Sequence, residues 1–170
     1  MEMAITALRV GRLIVFVWLH TKNDPSDGEW ETAFEFMSTT RRREGVPFGD
    51  ARSLVITDGG APRSLQRARL REFPMKSSVI TTVLSDPIKR GIATAISWAN
   101  PRFFFGGPND APRAAEHLDL GDQWDVLWQT FQDLQQALPP NQALERVGEV
   151  LKKKDPDGSK RGPRSSPWPI

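Results

Sequence analysis

His20, Asp58 and Ser85 each stand at or just past the end of an apolar run that reads as a strand. An imidazole, a carboxylate and a hydroxyl brought together there would be the components of nucleophilic hydrolysis, and open α/β sheets collect ligands at the carboxyl ends of their strands. No Gly-x-Ser-x-Gly elbow surrounds Ser85, however, and Asp86 followed by Pro87 reads as a helix cap with proline at the first helical position. His20 reads as a surface loop residue. No catalytic residue is therefore assigned, and a small hydrolase-like enzyme on His20, Asp58 and Ser85 is kept as the alternative.

Binding chemistry has a stronger pattern. The turn Asp58-Gly59-Gly60 leads into a helix whose first turn offers free backbone N–H groups, with Arg63, Arg67 and Arg71 four apart on one face. Guanidinium groups beside free N–H donors suit carboxylate or phosphate, so these six residues form the expected binding site for an anion or an acidic protein surface. Asp58 has no second acid two residues on, and His20 and His117 are isolated, so neither a metal site nor a cofactor is expected. Trp124 and Trp128 lie one helical turn apart and form a second interface candidate, although packing onto a sheet is the preferred use of such a stripe. A nucleic-acid reading would rest on Arg41, Arg42 and Arg43 with the basic tail. Phe103-Phe104-Phe105 reads as an edge strand, not a base-stacking platform, because Arg102 is its only basic neighbour.

The elements that must position these residues are legible from periodicity. Ile5–Arg9 and the wholly apolar Leu13–Leu19, joined at Gly11-Arg12, predict a β-hairpin whose second strand is covered on both faces. Ser26 and Glu29 make a capping box ahead of Trp30, Ala33, Phe34 and Met37, and Gly45-Val46-Pro47 ends that helix. Strands follow at Ser53–Thr57, Val79–Leu84 and Arg102–Phe105, with helices at Ser64–Phe73, from Asp86 through Ile88, Ile92, Ala95, Ile96 and Ala99, and to about His117. Ser64 reads as a helix cap. Trp30, Phe34, Val55, Ile56, Val83 and Ile96 are expected in the core. Alternation of this kind predicts an α/β fold, with a mostly parallel five-stranded sheet, an antiparallel edge hairpin at the N-terminus and right-handed crossovers. Trp124 to Leu138 and Leu144, Val147 and Leu151, separated by Pro139-Pro140, predict a C-terminal helical hairpin.

The order hairpin, helix, strand, helix, strand, helix, with the run Leu54-Val55-Ile56-Thr57-Asp58-Gly59-Gly60, resembles the STAS family of sulfate-transporter and anti-sigma-factor-antagonist domains over roughly residues 1–118. The resemblance implies a non-enzymatic, regulatory, partner-binding role in bacterial-type signalling. In antagonists of that family the loop after this strand carries an aspartate and then a phosphorylatable serine. Asp58 matches the aspartate, while Gly59 and Gly60 stand where the serine would be and Ser64 is the nearest hydroxyl.

Composition sets the limits. There is no cysteine among 170 residues, which removes disulfides, thiolate metal sites and thiol catalysis and suits a reducing compartment. The longest apolar run has seven residues, against roughly 20 for a spanning helix. The opening Met-Glu-Met-Ala does not read as a secretory signal, and a cytoplasmic location is expected. Residues 151–170 hold a net charge of +4 within a chain of +2, so residues 1–150 are at −2 and a whole-domain nucleic-acid footprint is disfavoured. The expected organisation is a STAS-like domain over 1–120, the helical hairpin over 121–154 and a disordered basic tail rich in Pro, Gly and Ser over 155–170.

Overall fold

The run Leu13–His20 is an interior strand because every residue from Ile14 onward is buried, which only cover on both faces allows. In this computed structural model, which describes residues 1–81, 100–138 and 145, that strand is β2. It pairs antiparallel with β1 (Met3–Val10) across a turn that Gly11 enters at φ 59°, and parallel with β3 (Ala51–Thr57). β4 (Lys76–Thr81) and β5 (Phe103–Gly106) extend the sheet in parallel, in the order β1-β2-β3-β4-β5. This is the α/β class with the antiparallel edge hairpin that the sequence predicts.

Alternation along the strands divides the core. Ile14, Phe16 and Trp18 face α1 (Asp27–Arg43), whose Trp30, Ala33, Phe34 and Met37 are buried at the predicted spacing. Ser26 Oγ accepts the Glu29 N–H and Glu29 accepts the Ser26 N–H, the expected capping box. Leu70 and Phe73, at and beyond the end of α2 (Ser64–Leu70), pack on the same side. Strands in sequence order with right-handed crossovers put successive helices on one face, so the other face must be covered by elements later in the chain. Val15, Val17, Leu19, Leu54 and Ile56 there meet α3 (Ala111–His117) and α4 (Trp124–Gln136) through Ala114, Ala115, Leu127, Phe131 and Leu134. The alanines let α3 lie close enough for Ser78 Oγ to donate to the Ala114 carbonyl at 2.9 Å.

Three expectations change. α2 ends at Leu70, and Arg63, not Ser64, holds its cap position without a side-chain bond; Ser64 is already the first helical residue. Val55 is half-buried, because it lies on the face served by the short α2. His20 is not a surface residue: as the last residue of β2 it is 2% exposed. Residues 82–84, Val83 among them, the helix expected from Asp86 through Ile96 to Ala99, the second arm at Leu144, Val147 and Leu151, and the tail 155–170 lie outside the described residues. No helix among the described residues is long and apolar enough to cross a membrane.

Candidate functional site

The carboxyl ends of β2 and β3 meet where the Asp58 loop turns back over β2. Gly60 N–H donates to the Thr21 carbonyl at 3.0 Å, and Asp58 N–H donates to the His20 carbonyl at 3.1 Å. Thr57 Oγ donates to the Gly60 carbonyl at 3.0 Å and accepts the Gly59 N–H at 3.0 Å. Gly59 sits at φ 135°, a region that residues bearing a Cβ avoid. Gly60 is required for another reason: a Cβ on it would lie 2.3 Å from the Asn23 carbonyl oxygen and 2.9 Å from that of Thr21. The two glycines therefore close the loop onto its own sheet.

His20 lies beneath this loop. Its Nδ1 is 3.4 Å from the Gly60 carbonyl oxygen, so in the neutral ring Nδ1–H is the donor. Trp18 and Trp30 stand edge-on to the imidazole at centroid distances of 6.2 and 5.6 Å. Nε2 has no hydrogen-bond partner among the described residues. Burial pushes its pKa down to about 4, only partly opposed by the Gly60 carbonyl and by Glu29. A general base must come within hydrogen-bond reach of its substrate, and an imidazole walled by two indoles under a closed loop does not. Ser85, the third member of the hydrolase-like set, lies outside the described residues, as does Asp86.

α2 is tied down on its inner side and open on its outer side. Buried Gln66 donates to Asp27 Oδ1 at 2.6 Å, Ala61 N–H donates to Asp24 Oδ1 at 3.2 Å, and Arg69 pairs with Glu31 while its guanidinium lies 4.5 Å over the Phe34 ring. Arg63, Arg67 and Arg71 are exposed, as predicted for a surface arginine face. Arg63 is 3.9 Å from Asp24, and Arg67 folds over its own first turn, donating to the Pro62 carbonyl at 2.8 Å and Ser64 Oγ at 3.1 Å. With seven residues and Arg67 lying across its start, α2 does not present the open first turn of N–H donors read from the sequence. Leu65, between these arginines, is 66% exposed; Met1 is the other large hydrophobic residue so exposed among the described ones.

The remaining candidates separate. Arg41 lies 4.2 Å over the Phe48 ring and donates to the Val46 carbonyl, while Arg42 points to solvent, so the three consecutive arginines do not form one basic face. Trp128 is half-buried and stacked on Phe131 at 5.8 Å; Trp124 begins α4, and its side chain lies outside the described residues. Among the described residues no group of three or more His, Asp or Glu is placed to hold a metal ion.

Sequence reasoning missed Glu29's second role. Its Oε1 accepts the N–H groups of Glu2 at 2.6 Å and Met3 at 3.2 Å, while Oε2 accepts from Ser26. Burial opposes ionisation, but these donors outweigh it and hold the carboxyl at about 2. The capping box was a legible signal for half of this; the tie to β1 depends on the hairpin bringing Glu2 to the start of α1. No family model matches the chain, and no curated protein or solved structure does so either.

Proposed function

We propose that this chain is a non-catalytic, regulatory protein-interaction module with a STAS-like core, acting in the cytoplasm, and that it binds an acidic protein surface through the outer side of α2. The observation that carries the reading is Leu65, 66% exposed on a short helix flanked by the exposed Arg63, Arg67 and Arg71. An exposed apolar side chain on a short helix that also bears exposed guanidinium groups fits a partner offering a small hydrophobic recess and separate carboxylates, and arginine is favoured at such contacts for its planar, multi-donor head. The element order from β1 to β4 supports the STAS-like core, and the sealed position of His20 favours binding over hydrolysis. The lack of cysteine agrees with a reducing compartment.

The test is affinity capture from an extract of the source cell, with quantification of bound proteins for three forms of the full chain. The unaltered chain and Arg113→Glu, a charge reversal on α3, should retain the same partner. The double variant Arg63→Glu with Arg67→Glu should lose it, and the remaining binding of the unaltered chain should weaken with salt. Equal retention by the double variant, at the same salt dependence, would reduce this face to solvated surface.

A further inference from the structure

The opposite ends of the strands carry a second grouping of charge. Arg52 and Lys76 are register partners at the starts of β3 and β4, and Arg102 immediately precedes β5. Three adjacent parallel strands thus each bring one cation to the same edge. They line a cleft of about 300 Å³ whose apolar walls are Phe48, Pro74 and Pro101. We infer that this cleft binds a small organic phosphate monoester as its dianion, independently of the α2 surface.

Arg52 is already fixed at the cleft, with one of its five N–H donors left uncommitted among the described residues. Its side chain is 12% exposed, and its guanidinium donates to the carbonyls of Gly49 at 2.7 Å, Ala51 at 3.1 Å and Leu118 at 3.3 Å. Little rotamer freedom remains to be lost on binding. Lys76 is half-buried, and Arg102 reaches only the Pro74 carbonyl at 3.4 Å, with no carboxylate partner among the described residues.

One acid reaches two of the three cations. Asp119 lies 3.0 Å from Arg52 and 3.2 Å from Lys76 and holds both. It does so from φ 64°, the only non-glycine residue in the left-handed region among those described. That conformation closes α3 as its left-handed cap, with the Leu120 N–H donating to the Ala115 carbonyl at 2.8 Å and the Asp119 N–H to the Glu116 carbonyl at 3.0 Å, and aspartate tolerates the region better than most. Burial resists the charge on Asp119, but Lys76 and Arg52 outweigh it and lower its pKa. Nearby, Asp50 lies 3.8 Å from Arg12, and His117 Nε2 meets the Arg102 carbonyl at 3.3 Å. The cleft is therefore left with two positive charges in excess, which match a doubly ionised phosphate, while Phe48 and the two prolines suit the organic group that an ester carries. Its volume is at the small end for ligand sites, roughly 300 to 1,000 Å³, which favours a free small molecule.

Isothermal titration calorimetry on the full chain tests this with phenyl phosphate, inorganic phosphate and the monoanion phenyl sulfate as probes, and with phosphatidate vesicles as the other source of the same headgroup. Phenyl phosphate should bind saturably, and about tenfold or more tighter than phenyl sulfate. Arg102→Ala, at an exposed site, should keep the melting midpoint and lose about tenfold in affinity. Asp119→Asn removes the competing carboxylate and should tighten phenyl phosphate binding, the opposite of what damage to a structural contact would do. The inference is overturned by the absence of saturable binding, by equal affinity for the monoanion, by an Arg102→Ala variant that binds unchanged, or by an Asp119→Asn variant that binds no tighter. Vesicle binding tighter than phenyl phosphate would overturn the assignment to a small molecule.

Discussion

The imidazole of His20 and the carbonyl of Gly60 face each other at 3.4 Å across the carboxyl end of the sheet, and each is held by what holds the other. The carbonyl stays in place because Thr57 Oγ also donates to it, and the ring stays neutral because the loop that presents the carbonyl keeps water out.

That arrangement makes stability depend on mild acid. His20 falls from its usual 6.5 to about 4 in the folded chain, so protonation favours unfolding. The stability of the neutral ring is complete above pH 6.5 and is lost as pH falls toward about 4. Urea melts should show a loss of about 2.5 kcal/mol between about pH 7.5 and 4.5, and His20→Phe should abolish most of it. Glu29 does not confuse this window, since its stabilisation, with the pKa lowered from 4.5 to about 2, disappears only below it. A flat profile for the unaltered chain would mean that the imidazole reaches water.

Gly60→Ala should cost about 3 kcal/mol, because the new methyl meets the backbone carbonyls of Asn23 and Thr21, which cannot rotate away. Gly28→Ala, on α1 with nothing within 4 Å of the new Cβ, is the control and should be neutral or mildly stabilising. Thermal melts of the two variants suffice.

Neighbouring positions on β3 should respond unequally. Ile56 is 1% exposed and sits among Leu19, Leu54 and Ile80, so Ile56→Ala should cost about 2 to 5 kcal/mol. Val55 is half-buried, and Val55→Ala should cost about 1 kcal/mol. Denaturant midpoints that reversed this order would place the core on the wrong side of β3.

Ser26→Ala removes the cap of α1 and should cost about 1 kcal/mol. Glu29→Ala should cost more, about 2 to 3 kcal/mol, because it also strips the acceptor from the Glu2 and Met3 N–H groups. Amide exchange at Met3 should then accelerate in Glu29→Ala and stay unchanged in Ser26→Ala.

Local chemistry was readable along the chain wherever the cause is local. Ser26 with Glu29 announces α1, the spacing of Trp30, Ala33, Phe34 and Met37 gives its buried side, and the unbroken run Leu13–Leu19 requires cover on both faces. The same patterns led to a mixed sheet edged by an antiparallel hairpin, and Arg63, Arg67 and Arg71 are exposed as their spacing implied. What stayed hidden depends on contacts between distant residues. Nothing near His20 states that Gly60 will close over it, because that follows from the parallel register of β2 with β3. Strands laid down in chain order leave one face without crossover helices, and only assembly shows α3 and α4 filling it. Arg52, Lys76, Arg102 and Asp119 are ordinary surface charges in the sequence. The three cations come to line one cleft because parallel pairing aligns the starts of β3, β4 and β5, and a left-handed turn after α3 brings the Asp119 carboxylate to two of them, Arg52 and Lys76.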